Sequence, residues 1–148
     1  MILRRFEPKD IEPCIQLGHD MHAESDYSSL VFSDLECRIF AEESMKNPGV
    51  FLDVADMGNG NIIGMLGAMI DQPFFSAELI ATDIFVYVRK PFRGGSAFIR
   101  LMRRYLAWSL TSGAKRVYAG TSAAIPGADA VYEKLGLARV GSIYRVED

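Results

Sequence analysis

The sequence predicts one α/β domain built on a mixed, mostly antiparallel sheet flanked by helices. Three observations predict it. The chain has 148 residues, a length that suits a single domain, 1–148, with one core. Between residues 50 and 70, two apolar runs are separated by the turn Gly58-Asn59-Gly60-Asn61, the pattern of an antiparallel hairpin. Between residues 84 and 120, a strand-like run, a helical run and another strand-like run follow one another. Two strands joined through a helix lie parallel, so the sheet is mixed and not a doubly wound parallel one.

Each element has its own local signal. Residues 2–7 read as a short strand. Asp10 then precedes Ile11, Ile15, Leu17, Gly18 and Met21, spaced as the apolar face of a helix. Ser33-Asp34-Leu35-Glu36 is a capping box, in which the Ser hydroxyl takes a backbone N–H and the Glu reaches back. A second helix is predicted over 34–46, stopped by Asn47-Pro48-Gly49. Val50–Ala55 and Ile62–Ile70 are the hairpin strands, and Gly64 and Gly67 predict a bulge or a close backbone approach. Gln72-Pro73 opens a loop. A third strand, Ile84–Val88, follows the stretch Glu78–Asp83. A helix then runs to about Leu110, with Gly113 as its C-terminal cap. Arg116–Gly120 reads as a strand. Pro126 suits the first turn of a short helix that Gly136 stops, and residues 138–146 read as a last strand or strand pair.

Composition excludes several classes. Apolar residues make up 49% and charged residues 24% of the chain, enough apolar matter to exclude a disordered polymer. The formal net charge of -3 argues against nucleic acid as a partner, since phosphate backbones repel an acidic protein. The longest apolar run, Ile62–Ile70, is far shorter than the ~20 residues that span a bilayer, so no membrane association is expected. The N-terminus shows no signal-peptide core, and a cytoplasmic location is the expectation. Cys14 and Cys37 read as reduced packing residues. His19 and His22 sit three apart, but no third ligand accompanies them, and no metal is expected.

Two stretches carry chemistry. At Val88 a hydrophobic strand ends, and Arg93-Gly94-Gly95-Ser96-Ala97 leads at once into a helix. Glycines let a ligand approach the backbone, and free N–H groups at a helix start attract anions. The stretch therefore reads as a phosphate or pyrophosphate site, or as a plain strand-to-helix turn. It is neither a Walker loop, which needs Gly-Lys-Ser/Thr, nor the G-x-G-x-x-G dinucleotide fingerprint. The second stretch is Ala130-Val131-Tyr132-Glu133-Lys134-Leu135-Gly136-Leu137. Tyr132 is either a core aromatic or a proton donor, since a phenol of pKa ~10 matches a thiolate leaving group.

In combination these residues resemble the GNAT superfamily of acyl-CoA-dependent N-acyltransferases. The family pattern is an apolar strand, then R/Q-x-x-G-x-G/A opening a helix, then a strand, then a helix with A-x-x-[FY]-Y-x-K-x-G-F. Here stand Val86, Val88, Arg93 and Gly94-Gly95-Ser96, and later Ala128 to Leu137 with the Tyr-Glu-Lys-Leu-Gly core. Counting from Arg93, the family's two small residues fall on Ser96 and Phe98, or with the loop offset by one on Gly95 and Ala97. Thr121 and Ser122 stand where many members carry an Asn.

The resemblance implies that acetyl-CoA is the acyl donor and lies in a split of the sheet between the strand ending at Val88 and the one ending near Ser122. The backbone of Val86 and Val88 would pair with the pantetheine arm. The amides of Arg93, Gly94, Gly95, Ser96, Ala97 and Phe98 would wrap the pyrophosphate. A primary amine, on a small molecule or a peptide, would attack the thioester directly in a ternary complex, and Tyr132 would protonate the CoA thiolate. For the general base the order is Asp83, then Glu24, then Glu78. Glu24 and Ser122 are placed on the acceptor side, where Asp20, Glu24 and Asp26 favour a cationic acceptor. Phe74-Phe75 is a candidate cover for the acceptor pocket. Arg100, Arg103 and Arg104 share one helix face, either solvated or facing the CoA 3′-phosphate. Two other readings stay open: a non-catalytic acyl-CoA-binding module of the same fold, and an unrelated nucleotide-phosphate binder. The sequence is compatible with a homodimer and does not name the acceptor.

Overall fold

In a computed structural model, which describes residues 1–120 and 127–148, one sheet runs in the order β1 (Ile2–Arg5), β2 (Val50–Asp56), β3 (Ile62–Asp71), β4 (Leu79–Val88) and β5 (Ala114–Tyr118). The first three junctions are antiparallel and β4–β5 is parallel, which is the mixed sheet expected. Around it lie helices α1 (Ile11–Glu24), α2 (Asp34–Met45), α3 (Ala97–Thr111) and α4 (Ala128–Lys134). Among the described residues, no helix is long and apolar enough to cross a membrane.

Helix α3 covers one face of the sheet. Its residues Ala97, Leu101, Met102, Tyr105 and Ser109 are buried and fall three or four apart along one stripe. Leu101, Met102 and Tyr105 pack against Phe51, Ala55, Leu66 and Ala81. Burying side chains of this size stabilises by ~1.5–3 kcal/mol each. The buried Tyr105 hydroxyl donates to the Tyr118 carbonyl at 2.6 Å, so the phenol costs no lost hydrogen bond. Helices α1 and α2 cover the opposite face, where Leu17 meets Val54, Met65 and Tyr87.

The helix starts follow the local chemistry. Ser33 caps α2 by accepting the Glu36 N–H at 3.2 Å. The carboxylate of Asp10, 1% exposed, accepts from the Glu7 N–H at 2.8 Å and from Nη1 and Nη2 of Arg4 at 2.7 and 2.8 Å. Arg4 also reaches Asp56 at 3.1 Å. This cluster ties β1 and β2 to the start of α1, and a buried carboxylate is tolerable only with such partners.

The strands hold two departures from the sequence reading. β4 starts at Leu79, so the stretch before Ile84 is strand as well. The strand expected at 138–146 does not form: among the described residues that segment makes no ladder, and Val140 and Tyr144 are 80% and 91% exposed. Strand propensity is realised only against a partner strand or a covering face, and among the described residues this tail has no partner strand. Thr121, Ser122 and Pro126 lie outside the described residues.

Candidate active site

The site begins with a defect in β4. Gly67 of β3 pairs with Phe85 and the next residue, Ala68, pairs with Asp83, so Ile84 is an extra residue in β4. The glycine signal had pointed to β3, and the bulge lies directly opposite it. A bulge breaks the alternation of side chains. Asp83 and Val86 therefore face α3, as do Ala81 and Val88, while Ile84 and Phe85 both face α1 and α2.

Beyond the bulge the sheet opens. The β4–β5 ladder covers only Leu79–Thr82 of β4. From Asp83 to Val88, one edge of β4 pairs with β3 and the other has no strand partner among the described residues. An unpaired strand edge presents N–H and C=O groups to an extended ligand. At the apex, the Asp83 carboxylate accepts the Gly120 N–H at 3.2 Å. Asp83 is largely buried, and burial pushes its carboxyl up to about 6, with the backbone hydrogen bond from Gly120 pulling the other way.

The far end of β4 leads into the glycine loop. Gly94 adopts φ +89°, a conformation that side chains resist. It turns the chain so that α3 starts at Ala97. No acidic residue stands in the first turn of α3, and its first N–H groups have no intrahelical acceptor. A cavity of about 240 Å³ joins this loop to the open edge, with Val86, Val88, Arg93, Gly94 and Gly95 on one side and Gly127, Val131 and Tyr132 on the other. Phe98 also lines this cavity and meets the Tyr132 ring edge-on, 5.8 Å between centroids. Its bulk therefore lies against α4. The Tyr132 hydroxyl makes no hydrogen bond among the described residues. Burial and the charge of Asp83 push its pKa upward, so the phenol stays protonated at neutral pH.

The Arg93 side chain turns away from the loop. Its Nε donates to the Val88 carbonyl at 2.8 Å, its Nη2 donates to Glu24 at 2.8 Å, and its guanidinium lies 5.2 Å from the Tyr87 ring centre. Lys90 holds the other Glu24 oxygen at 3.0 Å. Burial acts to raise the Glu24 carboxyl, but hydrogen bonds from Arg93, Lys90 and Tyr87 outweigh it and hold it at about 2. Burial and the bond to Glu24 push the Tyr87 phenol up to about 12. The end of α1 is thus fastened to the loop before α3. Sequence reading missed Tyr87, although its alternation with Val86 and Val88 puts it on the α1 face.

The remaining candidates are dispersed. Glu78 is exposed at the start of β4, the end remote from the glycine loop. Phe74 and Phe75 stand exposed in the preceding loop, edge-on to each other. Of the three arginines on α3, Arg104 pairs with the buried Asp53 of β2, while Arg100 and Arg103 are exposed. Asp26 pairs with Arg145 at 3.0 Å.

An open strand edge, a helix start clear of negative charge and a protonated phenol between them define a protein that can hold a long, phosphorylated thioester. The chain belongs to the acetyltransferase (GNAT) family, whose family model matches residues 18–137, and is thereby an acyl-CoA-dependent N-acetyltransferase. No curated protein matches it. Among solved structures it is similar to an acetyltransferase of Trypanosoma brucei, with 20% identity over 99% of this chain and 98% of that one and a TM-score of 0.76. Glucosamine-6-phosphate N-acetyltransferase from Arabidopsis thaliana shows 19% identity over 99% and 97%, with a TM-score of 0.78. The aminoglycoside N-acetyltransferase AAC(6')-Iy in complex with CoA shows 15% identity over 99% and 98%, with a TM-score of 0.77. At these identities the likenesses concern the fold.

Proposed function

We propose that the protein transfers an acetyl group from acetyl-CoA to a primary amine by direct attack in a ternary complex. The observation that carries this reading is the open edge of β4 leading from Asp83 to the glycine loop, with Tyr132 across the cavity. The complex of a structural neighbour with CoA supports the choice of donor. The backbone of Val86 and Val88 pairs with the pantetheine arm. The amides from Arg93 to Phe98 take the pyrophosphate, with α3 contributing the positive end of its dipole.

The chemistry moves three protons: the nitrogen loses one as the free amine forms and a second as the amide forms, and this second proton restores the one that the thiolate takes. The ammonium of the acceptor loses a proton, the amine nitrogen attacks the thioester carbon, a C–N bond forms and the C–S bond breaks. Asp83 is the base in this reading. A carboxyl near 6 is ionised at neutral pH and is closer in basicity to its task than an ordinary carboxylate. Tyr132 gives its proton to the departing thiolate. Glu24, held by Arg93, Lys90 and Tyr87, has the role of positioning the acceptor side and the loop. Ser122 is kept as an acceptor contact on sequence grounds.

The test is turnover of acetyl-CoA against a panel of primary amines, with wild type, Tyr132→Phe and Asp83→Asn compared at equal occupancy of cofactor. Thiol release that requires an amine and is lost in Tyr132→Phe supports the assignment. A protein that binds acetyl-CoA and acetylates no amine would instead be a binding module of the same fold.

A further inference from the structure

We infer that the body of the acceptor is apolar, an aryl or alkyl group seated in a cavity between α1, α2 and the sheet. The inference rests on the acyl-transfer reading and names its substrate class. The cavity has a volume of about 300 Å³. Cys14, Met21, Phe32, Cys37, Phe40 and Phe85 are among the residues that line it. Asp53 also borders it, but its carboxylate is turned to the opposite face, toward Arg104. Glu36 is exposed at the rim.

Two glycines build this space. A Cβ on Gly18 would come 2.9 Å from the ring of Phe32, and a Cβ on Gly67 would come 2.5 Å from the ring of Phe85. Each glycine therefore lets an aromatic ring approach the backbone closely, one on α1 and one on the sheet. Phe40 meets Phe85 edge-on at 6.3 Å. The walls are set before any ligand arrives. Protein interiors rarely leave voids much larger than a water molecule. An apolar cavity of ~150 Å³ is enough to bind benzene, so this one matches a two-ring or branched aliphatic group.

Its position joins it to the reacting centre. Ile84 and Phe85 line the apolar cavity, while Val86, Tyr87 and Val88 line the cofactor cavity. Val86 and Val88 face α3, but Phe85 and Tyr87 lie two residues apart on the α1 face, and a strand rises ~3.3 Å per residue, so the two spaces approach to ~7 Å along that face of β4. The bulge is what turns Ile84 and Phe85 together toward α1 and α2. An amine whose apolar body fills the cavity would bring its nitrogen out at the bulge, beside the thioester end of the cofactor. A sugar or polyamine in the same walls would leave polar groups without partners, a costly outcome. Two of the three acidic residues that favoured a cationic acceptor are already engaged, Glu24 by Arg93 and Lys90 and Asp26 by Arg145, and the third, Asp20, is exposed outside this cavity.

The experiment compares kcat/KM for phenethylamine, tryptamine and hexylamine with that for ethanolamine, spermidine and glucosamine, at saturating acetyl-CoA. A preference of at least ~10-fold for the apolar amines is expected, the scale of small apolar differences in a pocket. Cys37→Phe, which puts a ring into the cavity, should raise KM for tryptamine ~10-fold or more, while acetyl-CoA still raises the melting temperature. In wild type, N,N-dimethylphenethylamine, which cannot be acetylated to a neutral amide, should inhibit competitively against tryptamine; this arm stands even if the Phe variant does not fold. Equal or better turnover of the polar amines overturns the inference and leaves acyl transfer intact. A Cys37→Phe defect confined to longer acyl-CoA donors also overturns it, because the cavity would then hold the acyl chain. Binding of acetyl-CoA with no amine acetylated overturns the acyl-transfer reading itself.

Discussion

Replacing Asp83 by Asn separates the electrostatics of the split from its chemistry. The Asp83 carboxyl sits at about 6 in the fold against an ordinary 3.8, chiefly because it is buried. Between these values the folded chain holds a proton that the unfolded chain has released. Stability from this group is therefore greatest below about pH 4 and falls as pH rises through 6. The separation is worth ~3 kcal/mol if fully expressed, and ~2 kcal/mol after allowance for partial contact with water. Asn keeps the acceptor oxygen for the Gly120 N–H and removes the charge. The variant should match wild type at pH 4 and exceed it at pH 7.5 by ~2 kcal/mol, or ~4–8 °C in melting temperature for a chain of this size. Thermal melts from pH 4 to 8 make the measurement. The same variant should lose the acid limb of kcat/KM near pH 6, with a rate ~10²-fold lower. Parallel stability curves for the two proteins across this range would refute the reasoning, because they would mean the carboxylate is ionised in the fold at no cost.

Other perturbations follow from the same geometry. Tyr132→Phe keeps the ring contact with Phe98 and removes the proton donor, so turnover should drop ~10²–10⁴-fold while calorimetry finds acetyl-CoA affinity little changed. Acetyl-CoA at 100 times its dissociation constant should stabilise the fold by ~2.7 kcal/mol, read as a shift in denaturant midpoint. Arg4→Met leaves Asp10 and Asp56 without their guanidinium and should cost ~3 kcal/mol in urea unfolding. Gly67→Ala drives a methyl into the Phe85 ring and should destabilise by ~1–3 kcal/mol, with a measurable rise in KM for the acceptor.

Much of the fold was legible because its signals are local. The hairpin turn at Gly58–Asn61, the Ser33 cap and the stripe of α3 are each encoded within a few residues. The parallel step from β4 to β5 followed from the helix between them. What escaped depends on pairing across the chain. The extra residue at Ile84 exists only relative to β3, and no run of residues in β4 announces it. Glu24 and Arg93 are 69 residues apart, and the loop sequence does not say that the Arg93 side chain turns toward α1. Arg104 shares a helix face with Arg100, but a buried Asp53 claims it. The tail at 138–146 shows the converse, a strand-like segment that joins no strand among the described residues. In the site, residue types pointed to the glycine loop and Tyr132, whereas the apolar cavity arises from rings laid on Gly18 and Gly67, which only packing reveals.

The ion pairs of Glu24 with Arg93 and Lys90 couple the end of α1 to the glycine loop. In the proposed reading, α1 walls the acceptor space and the loop holds the donor, so neither ligand meets a wall that is independent of the other. Linkage is reciprocal: any stiffening of the loop by the donor that favours the acceptor must return the same factor to the donor. Departure of the spent thiol would then slacken the acceptor wall as well, and release of the two products would become a single relaxation of the molecule.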